Sequence, residues 1–391
     1  MTTPTPLPYE GLRVVEFTHM VMGPTCGMVL ADLGAEVIKV EPMGQGRHGD
    51  ATRDLLGSGA GFFPMFNRNK KSLALDLQTP QGHEAVLRLI ATADVVSENF
   101  KPGTMAKLGL DYASLKALNP RLVYVSHKGF LPGPYENRLA LDEVVQNMAG
   151  LTYMTGPKGM PLRAGTSVND IMGGMFGAIG VMAALRERDR TGQGQEIQSA
   201  LFENCCLLAA QHMQQFQMSG EVPPPFPSRV SAWSVYNTFH VAHGEQLFIG
   251  AVSDKQFNTL CEVIGRQDLL TVAEFATNAQ RVAVQPKLLA ELQEAIQHFE
   301  IEDLCQQLEA AGLPYAKVVR PDQLVEDEHL LASGGLVPMQ TDEGDSTKVV
   351  LLPLLLGGRR LGVRRPLPRV GEHTDEVLAS LNSPSGMAST V

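Results

Sequence analysis

Cysteine is scarce in this sequence: five among 391 residues, Cys26, Cys205, Cys206, Cys261 and Cys305, dispersed and with no C-x-x-C pair. Neither a disulfide framework nor a zinc knuckle can organise a chain so supplied, and a reducing, cytoplasmic setting suits it. The histidines show no metal-binding spacing and no H-E-x-x-H, so no metal site is expected. Positive charge is in deficit as well. With 32 Lys and Arg against 42 Asp and Glu, the net charge is −10, which argues against an electrostatic grip on nucleic acid or on an anionic membrane. Long apolar runs are missing: the longest, residues 349–356, holds Pro353 and is too short to span a bilayer. The N-terminal MTTPTPLPYEG lacks the basic and apolar regions of a secretion signal, so the expectation is a cytosolic chain without a membrane partner. No G-x-S-x-G elbow is present, which leaves serine hydrolase chemistry without support.

Apolar residues make up 44% of the chain, enough for large cores and two domains. LRVVEF (12–17) and EVIKVE (36–41) read as strands flanking the helical GPTCGMVLADLG. SLALDL (72–77), DVVSEN (94–99) and LVYVSH (122–127) continue the strands. TPQGHEAVLRLIATA reads as a helix with Thr79 as N-cap and Pro80 at its first position. Strands alternating with helices predict an α/β fold with a mainly parallel sheet, whose ligands bind beyond the carboxyl ends of the strands, near Glu41, Asn99 and His127. A long helical reach from Ile171 to about Met218, broken at RTGQGQ, precedes the proline cluster of a linker at 219–230. The expected division is therefore 1–218, a smaller α/β domain at 231–330, and a return at 331–391 in which KVVLLPLLLGG rejoins a sheet.

The G-x-G-x-x-G match GQGRHG (44–49) follows the second strand and opens no helix, so it reads as a loop and not as a dinucleotide fingerprint. FNRNKKS (66–72) gathers Asn67, Arg68, Asn69 and Lys70, which suit either a solvated turn or a phosphate clamp. ENFKPGTMAKLGL (98–110) adds Lys101 and Lys107 at a strand end and a helix start, where free N–H groups favour anions. In AGTSVNDIMGGMFGAIGVMAAL, Asp170 heads a run in which Gly173, Gly177, Gly180 and Ala184 share one helical face. Each glycine costs a helix about 1 kcal/mol relative to alanine, and so bare a face admits another backbone or a thin ligand arm. Asp170 itself suits two roles, a helix cap or a carboxylate nucleophile in a dry slot.

These blocks, in this order and over most of the chain, together with the C-terminal LPRVGEHTDEVL, resemble the class III CoA-transferases, the family of formyl-CoA transferase, carnitine CoA-transferase and α-methylacyl-CoA racemase. The resemblance implies a Rossmann-like sheet built from both chain ends, a smaller domain between them, and an interlocked homodimer. It implies that Asp170 attacks an acyl-CoA thioester, passing through an aspartyl anhydride and an aspartyl-CoA thioester, with CoA as substrate and with no tightly bound cofactor. It places CoA contacts at Asn67, Arg68, Asn69, Lys70, Asn99, Phe100, Lys101 and Lys107. Glu143, in LALDEVV, matches an acidic active-site position and equally suits the start of a helix.

Two departures from the family pattern narrow the reading. Val21 stands where formyl-CoA transferase has a glutamine, which weakens oxalate and formate as substrates. Leu141 stands before Asp142 where the racemase branch has a proton-shuttling histidine, which favours transfer over racemisation. Arg163, Arg229 and His127 could meet a second carboxylate, so small dicarboxylates of the succinate type are the expected acids. The rival readings are an α-methylacyl-CoA racemase and a non-catalytic CoA-binding protein.

Overall fold

A computed structural model describes residues 6–229 and 231–382. The chain forms two units: the described parts of Met1–Pro227 and Glu328–Val391 make one, and Ser228–Asp327 the other.

In the first unit the elements run β1 (Arg13–Phe17), α1 (Met22–Asp32), β2 (Glu36–Gly44), β3 (Arg47–His48), α2 (Phe62–Phe66), β4 (Lys70–Leu75), α3 (Pro80–Ala91), β5 (Val95–Glu98), α4 (Thr104–Lys107), α5 (Tyr112–Leu118) and β6 (Val123–Lys128). They continue with α6 (Asp142–Met148), α7 (Leu151–Thr155), α8 (Val168–Thr191), β7 (Glu196–Ala200) and α9 (Leu201–Ser219). The parallel strands lie in the order β4-β2-β1-β5-β6-β7, with β3 turned back antiparallel on β2. This is the doubly wound order, whose direction of winding reverses between β1 and β5. Strands covered on both faces must be apolar on both, and β1 satisfies this with neighbouring valines. Val14 joins the core beneath α1 and α8, and Val15 joins the core beneath α3 and α5.

Thr79 caps α3 by accepting from the N–H of Gly82, and Pro80 occupies the first helical position. The GQGRHG segment is a tight hairpin between β2 and β3. Gln45 and Gly46 both take positive φ, 54° and 77°, the backbone a two-residue turn requires.

Two expectations are corrected. The helical reach after Ile171 is interrupted by a strand, β7, because EIQSA pairs in parallel along β6 and supplies the sheet's last strand. The sheet is not built from both chain ends, since all its strands lie between residues 13 and 200. The return segment instead forms a short helix (Glu328–Ala332), two hairpins (Leu336–Gln340 with Ser346–Val350, and Leu355–Leu356 with Arg359–Arg360), and the helix Thr374–Ser380. This segment covers the exposed edge of β4. The His373 N–H donates to the Ser72 carbonyl (3.0 Å), and the Ala74 N–H donates to Thr374 Oγ1 (3.1 Å). A bare strand edge invites foreign pairing, so the cover is useful without being a strand.

The helix α8 is long and apolar enough to cross a membrane by length and composition. Here it is a core helix, packed on α1, β6 and β7. The close approach depends on missing side chains. A Cβ on Gly174 would lie 2.4 Å from the Met22 carbonyl oxygen and 2.6 Å from Thr25 Cβ. The bare face beside it is filled by the protein's own side chains, Met22 against Gly173, His127 against Gly177 and Ile197 against Gly180, not by a ligand arm.

The second unit has an antiparallel sheet of three strands, Val235–His240, Gln246–Ala251 and Tyr315–Lys317, with Gln246–Ala251 in the middle. Helices Asp254–Val263, Gln285–Ile296 and Ile301–Ala310 close its own core around Leu247, Leu260, Leu288 and Leu304.

Candidate active site

The reversal between β1 and β5 leaves a crevice at their carboxyl ends, and a cavity of about 530 Å³ opens there. Its wall takes His19, Met20 and Met22 from the segment after β1, residues 98–103 from the end of β5, and His127 and Lys128 from β6. The loop leading into α6 and Asp170 of α8 complete it.

Asp170 is the third residue of α8 and half-buried. A helix start leaves N–H groups unpaired, and Asp170 does not serve them. Ser167 precedes the helix without a side-chain cap. Asp142 performs the capping from another element: its Oδ2 accepts from the N–H of Asn169 (2.8 Å) and of Asp170 (3.1 Å). Gln146 fixes Asp142 by donating to its Oδ1, and accepts from the Ala164 N–H through its own Oε1 (2.8 Å). The Asp170 carboxylate therefore takes no hydrogen bond among the described residues, and its oxygens are left to the cavity. Burial, reinforced by the negative charge of Asp142 and opposed by Arg163, pushes its pKa up to about 7.

Arg163 donates to Glu143 and to the Thr166 carbonyl (3.1 Å), and approaches Asp142 at 4.0 Å. Glu143 is exposed and absent from the cavity wall. The acid facing Asp170 is its neighbour Asp142, because the first turn of α6 points that residue inward at α8.

The structure does not bring Asn67, Arg68, Asn69 and Lys70 to the cavity. All four are buried, and their polar atoms are spent inside the fold. Arg68 pairs with Asp32 (2.6 Å), and Asn69 donates to Asp32 (2.7 Å) and accepts from the Arg365 N–H (2.9 Å). Lys70 donates to Glu16 (2.7 Å), the Pro24 carbonyl (3.0 Å) and Asn67 Oδ1 (3.0 Å), and desolvation lowers its pKa to about 8. Two buried carboxylates, Glu16 and Asp32, would be costly without these cations, so the cluster reads here as a buttress under α1.

Asn99, Phe100 and Lys101 do line the cavity. Asn99 staples the two switch-point loops, accepting from the His19 N–H (2.9 Å) and donating to the His19 carbonyl (2.8 Å). The Phe100 ring stands 5.7 Å from that of His19. Lys107 closes the four-residue helix α4 and is not in the wall.

His127 is buried, with Nε2 3.1 Å from Ser97 Oγ and with Nδ1 unpaired. Its ring fills the space a Cβ on Gly177 would need. Burial lowers its pKa to about 4, so it offers no positive charge to a carboxylate at neutral pH. Arg229 belongs to the second unit. Sequence reasoning missed Asp142, Lys128 and Arg138. The rule that ligands meet strand ends points to Lys128, the last residue of β6, but nothing local marks the other two.

Comparison with known proteins identifies the family. Residues 9–374 match the family model described as CoA-transferase family III. The chain is 35% identical to the succinate–glutarate CoA-transferase of Agrobacterium fabrum, over 96% of each chain. It is 32% identical to the succinyl-CoA–D-citramalate CoA-transferase of Chloroflexus aurantiacus, over 96% of this chain and 94% of that one. A CAIB/BAIF family protein from Brucella suis superposes with a TM-score of 0.87 at 34% identity, covering 96% of this chain and 100% of the other. By sequence and by fold, then, the chain belongs to CoA-transferase family III.

Proposed function

We propose that this enzyme moves CoA between two small dicarboxylates, with Asp170 as the covalent relay. The observation that carries the reading is the unoccupied carboxylate of Asp170 in the cavity wall, its capping duty taken over by Asp142. Relatives that act on succinate, glutarate and citramalate support dicarboxylates as the substrate class.

The chemistry follows from an ionised oxygen beside a thioester. An Asp170 oxygen attacks the acyl carbonyl, the C–S bond breaks, and CoA leaves as a thiolate, giving a mixed anhydride. The thiolate attacks the Asp170 side-chain carbonyl and expels the first acid as a carboxylate, leaving an aspartyl-CoA thioester. An oxygen of the second acid attacks that thioester, CoA leaves again, and the thiolate takes the new acyl group from the second anhydride. Asp170 is regenerated, and no proton or water is consumed. Water would hydrolyse either anhydride, so the half-buried setting of Asp170 protects the intermediates as well as sharpening the nucleophile. Lys101 and Lys128 are placed to hold the anionic part of CoA at the sheet edge.

The enzyme is read as a cytoplasmic homodimer. Met175, Phe176 and Ile179 of α8 and Leu207, Met213 and Phe216 of α9 are large apolar residues left exposed, the kind of surface a second copy covers. Mixing the enzyme with succinyl-CoA and glutarate, and reading products by mass, tests the reaction. Glutaryl-CoA and free succinate are expected. Free CoA without glutaryl-CoA would show a hydrolase, and solvent deuterium entering the α-position of a 2-methylacyl-CoA without any acceptor would show a racemase.

A further inference from the structure

Three Lys and Arg side chains line the cavity, Lys101, Lys128 and Arg138, and none of them forms an ion pair among the described residues. Arg163, outside the wall, is held by Glu143. Arg138 is the one of the three that lies over an aromatic ring. It lines the same cavity as Asp170, and its guanidinium makes no ion pair among the described residues. It is oriented by an aromatic face, with Cζ 4.9 Å from the Tyr135 ring centroid. That ring is itself braced by Phe130 at 5.7 Å and Phe202 at 6.2 Å. A cation held over a ring keeps its charge while losing freedom, so less entropy is lost when an anion arrives.

Chain connectivity places this charge near the reacting group. Arg138 lies four residues before Asp142, and Asp142 accepts from the Asp170 N–H. Four residues span at most about 14 Å, so the long arginine side chain can serve a substrate anchored at Asp170. Lys101 and Lys128, by contrast, sit on the sheet edge at the ends of β5 and β6.

We infer that Arg138 is the specificity-determining residue for the distal carboxylate of a dicarboxylic acyl group. The inference rests on the dicarboxylate reading above and assigns the side chain that would enforce it. The guanidinium fork pairs with the free carboxylate while the thioester carbonyl meets Asp170. A monocarboxylic acyl group of equal length leaves that fork empty, so selection comes from the charge at the far end of the acyl chain.

The test compares kcat/KM for succinyl-CoA and butyryl-CoA, with glutarate as the common acceptor, in the native enzyme, Arg138→Gln and Arg138→Lys. Loss of a charge-assisted contact predicts a fall of roughly 10- to 100-fold for succinyl-CoA in Arg138→Gln. Butyryl-CoA should change little, and Arg138→Lys should recover part of the loss. An equal fall with both donors would overturn the inference and assign Arg138 to CoA itself. No fall with either would overturn it as well. Native enzyme that uses butyryl-CoA but not succinyl-CoA would instead remove the dicarboxylate reading on which the inference stands.

Discussion

At the scale of the residue, the proposed chemistry depends on separating two duties that one carboxylate usually combines. Asp142 accepts the N–H groups at the head of α8, and Asp170 is left to face the cavity. Asp142 also raises the pKa of Asp170 by proximity of like charge. The nucleophile must be ionised, so the rate should climb with pH through about 7 in the free enzyme. In Asp142→Asn an acceptor for α8 remains but the charge is gone. The acid limb of the kcat/KM profile should then shift to lower pH, and an unshifted limb would remove Asp142 from the tuning of Asp170. Stability carries the opposite sign. Burial raises the Asp170 pKa to about 7 in the folded chain, against 3.8 for an ordinary aspartate, so between these values the folded chain holds a proton the unfolded chain has released. Stability from this group is thus complete below about pH 4 and is lost as the pH rises through 7. Asp170→Asn should raise Tm at pH 8 and leave it nearly unchanged at pH 4, as differential scanning calorimetry would record. The place of Asp170 at the head of a glycine-rich helix was legible in the sequence. Asp142 was not, because its importance lies in a contact between residues 28 positions apart, and Glu143 beside it has the same charge.

At the scale of the element, α8 ties the proposed nucleophile, Asp170, to the sheet. Its N-terminus carries Asp170, and its middle lies so close to α1 that Gly174 has no room for a methyl group against the Met22 carbonyl. Gly174→Ala must push two backbones apart, which should cost about 1–3 kcal/mol in urea denaturation and lower kcat by moving Asp170 relative to the loop after β1. The strands β1, β2, β5 and β6 were readable from short β-branched runs, β4 from the leucines of SLALDL, and α3 from its Thr79–Pro80 start. The strand β7 was hidden because five residues between two helices carry too little periodicity to announce themselves. The basic segment 67–70 misled for a different reason. Composition cannot distinguish cations that meet a ligand from cations that neutralise buried Glu16 and Asp32, and only the fold brings those carboxylates to them.

At the scale of the whole molecule, the proposed function has a chain of net charge −10 handle anionic substrates through a few placed cations, not through a broad basic surface. The exposed apolar residues of α8 and α9 should be covered in a homodimer, so sedimentation equilibrium should return twice the chain mass of 42.3 kDa; a monomer would contradict that. The central claim concerns covalent relay, and the most direct measurement is peptide mass spectrometry of enzyme quenched during turnover with succinyl-CoA. The account predicts a CoA adduct on the peptide containing Asp170, formed in the native enzyme and absent from Asp170→Asn, whose transfer rate should fall at least about 1000-fold, or ~4 kcal/mol of barrier. Undiminished transfer by Asp170→Asn, or a turning-over enzyme whose Asp170 peptide never carries CoA or an acyl group, would contradict it.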